Sequence, residues 1–318
     1  MGLRFLFTLC LLNFHGFSQS AKVDQAKKMY ESKKYPEVLN LLSAVKEGEK
    51  DYAAASYYLG RVAFDQKRYS DAQDFFEQAV EADDKVAEYH NWLGNTYGQI
   101  AQEANIIKQG ILAPKMKSQW EKAVALNPSY IDPRQSLIQY YLQAPGIMGG
   151  SVDKAKETAT QIMALNAAQG HLQMGNIHVK EKKFGEAEKE FIEMVKVDPA
   201  YLSGLANFYT GQKQYDKAFT LFEEAVQKNP RDMGAVYQLG KTSAVSGQKL
   251  DRGEECLKKY LTYTPKQNEP SHAGANMRLA QINEKKGNKV EAKRFYEAAL
   301  KLDGSLKEAR EGLQRTSK

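Results

Sequence analysis

A fixed pattern of small and large apolar residues repeats along this chain with a period near 34 residues. In the clearest copy, residues 168–201, the offsets of Gly175, Ala187, Phe191 and Pro199 are ones that recur along most of the sequence. Self-similarity at a period of roughly 20–50 residues is typical of stacked repeats, in which each unit packs only on its neighbours. The pattern therefore predicts a repeat array, an architecture that usually serves binding.

Two positions of each repeat are almost always small. With the last phased proline taken as position 32, position 8 holds Gly60, Gly94, Ile138, Gly175, Ala206, Gly240 and Ala280. Position 20 holds Ala72, Met116, Ala155, Ala187, Ala218, Gly253 and Ala292. Large apolar residues such as Leu93 and Phe191 occupy positions 7 and 24, and the i, i+4, i+7 spacing predicts helical stripes. Each repeat is thus predicted to be two antiparallel helices in close contact, ended by a proline.

This pattern resembles the tetratricopeptide repeat family. One copy fits it through Leu93, Gly94 and Tyr97, and a second copy through Tyr215, Ala218, Phe222, Ala225 and Pro230. The resemblance implies an all-α fold, a right-handed superhelical solenoid of about eight helix–turn–helix repeats with a C-terminal capping helix. Residues 19–318 are predicted to form this single solenoid, with the capping helix at 305–318. The repeats are predicted to start near residues 19, 53, 87, 131, 168, 202, 233 and 273.

Residues 1–18 differ from the rest of the chain. They hold one charge, Arg4, followed by the apolar run Phe5–Leu12 and by small residues. This order is typical of a secretory signal peptide. We expect cleavage before Gln19, with cleavage before Ala21 as the alternative, and export to the periplasm or the medium, in the setting of a bacterial envelope.

Composition narrows the classes of partner. The net charge of +6 is modest and is scattered along the predicted helices, whereas nucleic-acid binding usually needs a clustered basic stripe. After residue 18 no long apolar run follows, so we expect no stable membrane insertion. We therefore expect a protein or peptide partner and no nucleic acid; the oligomeric state stays open.

The sequence lacks the common catalytic and metal-binding motifs. The sequence contains no HExxH, CxxC or GxSxG, and no pair of acids stands out as general acid and base. Residues 234–242 resemble a phosphate loop with one residue too many, and His90 and His171 fall at packing positions. We therefore expect a protein that is not an enzyme, with no catalytic residue, no metal ligand and no cofactor.

The resemblance also implies that first helices line a concave face, with repeat positions 5 and 9 pointing into it. Position 9 is polar throughout: Arg61, Asn95, Gln139, Asn176, Asn207, Lys241 and Gln281. Position 5 adds Tyr57, Asn91, Gln135 and Tyr237. Amide side chains carry both donors and acceptors, so this column is predicted to bind the backbone of an extended peptide. The alternative is a plain solvated face.

Two insertions break the period. Residues 98–116 predict that both helices of the third repeat are lengthened into a hairpin, with Gly110 ending the first and Pro114 starting the second. The hairpin is expected to expose Ile100, Ile106, Ile107, Ile111 and Leu112. Residues 143–151 form the second insertion, which leads into a helix N-terminus and contains Gly146, Gly149 and Gly150. The two insertions are either a binding edge or segments that simply pack on each other.

These segments are similar to a narrower group, exported bacterial tetratricopeptide proteins of unassigned function. The likeness lies in residues 141–147, in Gly149 and Gly150, and in residues 250–254. Together the observations predict a non-catalytic scaffold that binds a peptide or protein segment on the concave face, on the insertion edge at residues 98–151, or on both. The alternatives are a cell-envelope assembly factor and a binder of a small anionic or glycan ligand at the Gly146–Ser151 loop.

Overall fold

The computed structural model describes residues 20–266 and 269–317, and helices are the only regular secondary structure among them. The predicted signal peptide at residues 1–18 and the expected cleavage bond before Gln19 lie outside the described residues, whereas the alternative bond before Ala21 lies at the start of α1. The chain divides into two compact units between Ala155 and Lys156. Each unit is a stack of helix pairs.

The first unit holds three complete pairs, a further first helix and the start of the next helix. Its helices are α1 Ala21–Glu31, α2 Tyr35–Leu42, α3 Tyr52–Asp65, α4 Tyr69–Ala82, α5 Ala87–Glu103, α6 Ile106–Leu126, α7 Ile131–Gln143, a 3₁₀ turn at Gly146–Met148, and α8 Val152–Leu165, in which the division falls. Consecutive helices pack as pairs, and the first helices α1, α3, α5 and α7 also contact one another in order.

The second unit continues the same arrangement. Its helices are α9 Ala167–Lys180, α10 Phe184–Val197, a 3₁₀ turn at Pro199–Tyr201, α11 Leu202–Gly211, α12 Tyr215–Lys228, α13 Met233–Ser246, α14 Leu250–Leu261, α15 His272–Lys285, α16 Lys289–Leu302 and α17 Lys307–Thr316. Helix α17 packs on α15 and α16. The predicted all-α array of helix pairs with a terminal capping helix is confirmed.

Close approach at a glycine organises four of the helix pairs. A Cβ atom added at Gly60 would lie 2.8 Å from the ring of Phe76, and one at Gly94 would lie 2.7 Å from Nε1 of Trp120. The same relation joins Gly175 to Phe191 and Gly240 to Leu257. At these four glycines the prediction that position 8 allows close approach of the two helices is confirmed. The large residue at position 24 packs on the glycine of its own pair, in addition to any contact with the next repeat.

Left-handed residues close the turns between paired helices. Lys33, Lys67 and Lys182 have φ angles of 57°, 60° and 60°, and Gly287 has the same role in the last pair at 80°. In the first turn the amide after Lys33 donates to the carbonyl of Met29 at 2.9 Å, which satisfies the end of α1. Left-handed lysine costs roughly 1–2 kcal/mol relative to a helical conformation. These short turns hold the two helices of each pair antiparallel.

The predicted hairpin forms, but its turn lies elsewhere. Helices α5 and α6 have 17 and 21 residues, against 14 in both α3 and α4. The break falls at Ala104 and Asn105, where the Asn105 side chain accepts from the amide of Lys108 at 3.0 Å and caps α6. The prediction that Gly110 ends one helix and Pro114 begins the next is wrong, because both residues lie inside α6.

The exposed apolar set on this hairpin is smaller than expected. Leu112 is buried, and Ile100 is half-buried and packs against the cluster that contains Leu93 and Leu112. The prediction that Ile100 and Leu112 face solvent is wrong, because both turn toward the paired helices. The three isoleucines of the first turns of α6 stay exposed, as described below.

A matched pair of glycine substitutions tests the close packing. A Cβ atom at Gly170 in α9 would lie 2.2 Å from Cα of Met163 in α8, whereas nothing lies within 4 Å of one at Gly211. We expect Gly170→Ala to lower the free energy of unfolding by about 1–3 kcal/mol, because backbone atoms must move. Gly211→Ala should be neutral or stabilising by about 0.4–1 kcal/mol. Urea unfolding followed by circular dichroism measures both; equal stability of the two variants would contradict this packing.

Candidate functional site

A groove of about 820 Å³ opens between the first helices α1, α3 and α5 of the first unit. Four tyrosines and one arginine form its inner wall: Tyr30, Tyr57, Tyr58, Tyr89 and Arg61. Charged residues form its rim: Asp24, Lys27, Glu31, Lys50, Asp51, Asp83 and Glu88. An aromatic wall with a charged rim is suited to recognising a ligand through both its apolar and its polar parts.

The tyrosine rings pack on one another. The ring centroid of Tyr57 lies 5.1 Å from that of Tyr58 and 5.0 Å from that of Tyr89, and Tyr30 lies 6.0 Å from Tyr58. Tyr58 and Tyr89 are only 8% and 7% exposed. Their hydroxyl groups form no hydrogen bond with any other residue that the structure describes. Neither hydroxyl oxygen is fully buried, so both reach solvent in the groove, where a ligand can bind them.

Arg61 contacts aromatic side chains on the three helices that form the groove. Its guanidinium donates to the hydroxyls of Tyr57 and Tyr30, each at 2.8 Å, and its Cζ lies 3.8 Å from the ring centroid of Trp92. The Tyr30 hydroxyl donates in turn to Asp65 at 2.7 Å. Arg61 therefore connects α1, α3 and α5. The structure gives this predicted binding residue a packing role at the groove.

Burial moves the pKa of the two open hydroxyls, already about 10 in a free tyrosine, further above physiological pH. It raises the pKa of Tyr58 to about 12, and the negative charge of Glu31 acts in the same direction. Burial likewise raises the pKa of Tyr89, with Asp83 adding to the effect. Both hydroxyls are thus neutral at physiological pH, where each has one hydrogen to donate and lone pairs to accept.

Negative charge exceeds positive charge around the groove. Five lining residues are acidic and three are basic, Arg61 included. Asp51 accepts a hydrogen bond from the Ser20 hydroxyl. Within the described parts of the chain, the other four carboxylates form no ion pair: Asp24, Glu31, Asp83 and Glu88. The rim therefore holds four carboxylates without a cationic partner, of which Asp83 accepts a hydrogen bond from the Lys85 amide at 3.1 Å.

The predicted amide column is only partly exposed. Asn95 accepts from the Trp120 indole N–H at 2.9 Å, and Gln281 donates to Glu308 at 3.1 Å. Gln139, Asn176 and Asn207 are exposed. In the column as a whole, some amides hold packed helices together and others face solvent. The position-9 column therefore does not form one continuous row of exposed amides.

The residues predicted at position 5 are mostly buried. Asn91 is buried and donates to the Tyr130 hydroxyl at 2.9 Å, while Gln135 is half-buried and engaged by a neighbour. In the second unit Tyr237 is buried, with its ring 5.1 Å from that of Tyr260. Lys241, from position 9, is half-buried, and burial together with the nearby Arg278 lowers its pKa. Only Tyr57 of the position-5 set reaches the groove.

The insertion edge presents three exposed apolar side chains. Ile106, Ile107 and Ile111 are 79%, 73% and 58% exposed on the first turns of α6. Such a group of large apolar residues on a helix tip is unusual for a solvated surface. The structure thus brings together the three isoleucines predicted to bind a partner.

The second insertion forms a tight loop beside α6. Gly149 has φ 90°, and a Cβ atom there would lie 3.7 Å from Nζ of Lys117, so the loop packs on the middle of α6. Gly146 is exposed. The amides of Met148, Gly149, Gly150 and Ser151 all donate to backbone carbonyls of residues 141–146. Those four amides are therefore already occupied, which leaves the loop little with which to hold an anion.

A second groove, of about 500 Å³, lies in the second unit between α13, α15 and α17. Its main charges are paired with each other, Arg315 with Glu284 at 2.8 Å and Arg278 with Glu308 at 3.0 Å. Among the described residues there is no group of three or more His, Cys, Asp or Glu side chains able to hold a metal ion. In the same residues no helix has both the length and the apolar character needed to cross a membrane.

Comparison with known proteins identifies the repeat. Residues 29–95, 200–229 and 273–305 each match a model of the tetratricopeptide repeat. Superkiller complex protein 3 of Mus musculus is 26% identical over 247 residues, which cover 66% of this chain and 15% of that protein. The chain therefore spans a small part of this curated relative.

Two solved structures resemble the fold. A tetratricopeptide repeat protein from Parabacteroides merdae ATCC 43184 has a TM-score of 0.54 and 14% identity, over 93% of this chain and 98% of that one. The Cut9–Hcn1 hetero-tetramer of the APC/C gives a TM-score of 0.52 and 15% identity, over 96% of this chain and 57% of that one. At these identities the likeness concerns the fold alone.

Replacing Arg61 tests its bridging role. A lysine at this position has no planar fork, so it cannot donate to both tyrosine hydroxyls while stacking on Trp92. We expect Arg61→Lys to lower the free energy of unfolding by about 1–3 kcal/mol. Arg68→Lys, at an exposed arginine of the same unit, should stay within about 0.5 kcal/mol of the parent. The denaturant concentration at the midpoint of unfolding measures the stability of both variants. An unchanged midpoint for Arg61→Lys would contradict the bridging role of Arg61.

Proposed function

Because the chain belongs to the tetratricopeptide repeat family, we propose that it is a non-catalytic scaffold that holds a peptide or an extended segment of a partner protein. The repeat fold supports a protein–protein interaction scaffold in general. We place the binding surface in the groove of α1, α3 and α5. The observation that carries this choice is the pair of open hydroxyls on Tyr58 and Tyr89.

The dimensions of the groove suit a chain segment. Neighbouring packed helices are about 9 Å apart, so a groove across three first helices is about 20 Å long. An extended chain advances about 3.3 Å per residue, and such a groove accepts about six residues. The exposed amides of Gln139, Asn176 and Asn207 remain predicted contacts for longer ligands, since their side chains reach solvent.

We propose the exported setting as well. Its support is the sequence of residues 1–18, with one basic residue before an apolar run. N-terminal sequencing of the protein recovered from the culture medium and from the periplasm, compared with the cytoplasmic fraction, tests it. A mature N-terminus at Gln19 or Ala21 is the expected result.

Blocking the groove tests the proposed function. A displayed library of random nine-residue peptides is selected on the full chain, and recovered peptides are measured by fluorescence anisotropy. Ala54 lines the groove and Ala82 ends α4 in the open. We expect Ala54→Trp to weaken peptide binding at least about tenfold, since an indole fills the space, with Ala82→Trp unchanged. Peptides that bind both variants equally well would place the binding surface elsewhere.

The tip of α6 supports a second candidate function, that of an assembly factor which grips a larger partner. The observation that favours it is the exposure of Ile106, Ile107 and Ile111, because an apolar group of this kind is usually covered in a complex. This surface is separate in the sequence from the groove residues. The two functions can therefore be tested independently in the same protein.

Site-specific photo-crosslinking tests this second surface. A photoreactive residue is placed at position 107, and in a matched protein at Ser118, which is exposed on the same helix. In cells that express the full chain we expect one main adduct from position 107. That adduct should be lost in Ile106→Ser/Ile111→Ser, because the apolar contact is the source of affinity. Equal yields at positions 107 and 118 would count against the assembly function.

A further inference from the structure

We infer that the groove of α1, α3 and α5 selects a lysine or arginine side chain from the segment it binds. This inference rests on the proposed function, since it names the chemistry of the ligand for the same site. It follows from three features of the groove: its unpaired acids, its aromatic wall and its contrast with the charge of the whole chain.

The rim supplies the charge complement of a cation. Asp24, Glu31, Asp83 and Glu88 line the groove and have no cationic partner among the residues described. The lining lysines, Lys27 and Lys50, likewise form no ion pair there, so they neutralise no carboxylate by direct contact. A cation that enters the groove can therefore approach these carboxylates without displacing an existing cationic partner.

The wall supplies the second part of the site. Tyr57, Tyr58 and Tyr89 present packed rings, and the faces of such rings attract ammonium and guanidinium groups. The hydroxyls of Tyr58 and Tyr89, on side chains more than nine-tenths buried, have lone pairs and no donor among the described residues. A lysine ammonium has three donors and an arginine has five, so either can satisfy these acceptors.

The aromatic contacts of Arg61 favour a cationic ligand in this cluster, whereas its charge disfavours one. Its guanidinium lies 4.8 Å from the ring centroid of Tyr30 and 3.8 Å from that of Trp92, so the same cluster already holds one cation. Its charge opposes a second cation, but Asp65 offsets it through the Tyr30 hydroxyl that the two residues share. The four unpaired carboxylates of the rim therefore keep the groove negative.

The net charge of the whole chain disfavours non-specific attraction of a cationic peptide. Its net charge is +6, which repels cationic peptides at long range. An excess of acids at this groove is therefore a local departure from the average charge of the protein. A cationic segment that binds does so through the groove residues, which can be changed one at a time.

The experiment begins with the peptides recovered from the library selection. Each is resynthesised with lysine replaced by acetyl-lysine and arginine by citrulline, which keeps the shape and removes the charge. We expect enrichment of lysine or arginine in the selection. The neutral versions should bind at least about tenfold more weakly, the loss expected from one desolvated cation–aromatic and carboxylate contact.

A charge-reversal pair supplies the protein side of the test. Glu31 and Glu88 line the groove at the last turn of α1 and the first turn of α5. Glu37 and Glu81 are exposed outside it, at the first turn of α2 and the last turn of α4, and so match them in helix position. We expect Glu31→Lys/Glu88→Lys to weaken binding at least about tenfold, and Glu37→Lys/Glu81→Lys by no more than about twofold.

The outcomes separate the two claims. Groove-bound peptides without lysine or arginine, or peptides indifferent to neutralisation, overturn the cation preference and leave the scaffold function standing. Peptides that Ala54→Trp fails to displace overturn the groove as the binding surface, and the preference with it. The neutralised peptides need no change in the protein, so a variant that folds poorly does not prevent a decision.

Discussion

The contact between a glycine on the first helix and a large side chain on the second is the constraint on which the rest of the structure depends. Gly94 against Trp120 and Gly175 against Phe191 bring the two helices of a pair close enough to bury that side chain. Adding a methyl group to such a contact costs about 1–3 kcal/mol, and removing the ring about 3–5 kcal/mol. In the four pairs that have this contact, it occupies the face between the two helices. What remains for a partner is the surface of the first helices and the segments that depart from the period.

The same contact decides which polar residues stay free. Asn95 follows Gly94, and its amide oxygen accepts from the indole N–H of Trp120. Asn176 follows Gly175 in the same way, but the facing ring is Phe191, which has no N–H to offer, and Asn176 is exposed. Two residues that are alike in the sequence thus have different roles, because of one substitution on the opposite helix. A column of amides is therefore not equivalent to a binding ladder.

The sequence predicted the helix pairs well, since spacing and prolines are properties of each repeat in isolation. It placed the hairpin turn wrongly, because the side-chain cap from Asn105 starts α6 ahead of Gly110 and Pro114. The helix continues through Pro114, at the cost of one backbone hydrogen bond. The groove could not be predicted by comparing equivalent positions. Tyr30, Tyr58 and Tyr89 come from three repeats and occupy different positions in each, so only their packing in space brings them together.

The two grooves differ in how their charges are satisfied, and that difference bears on which one binds. In the second unit Arg315 and Glu284 neutralise each other, so a charged ligand would have to break an existing pair. In the first unit Glu31 and Glu88 have no ion-pair partner within the described residues, and the hydroxyls of Tyr58 and Tyr89 have no hydrogen-bond partner there. A ligand can engage these groups without breaking an existing pair, and its binding stabilises the folded state. The groove whose own packing is least complete is the one that gains most from a ligand.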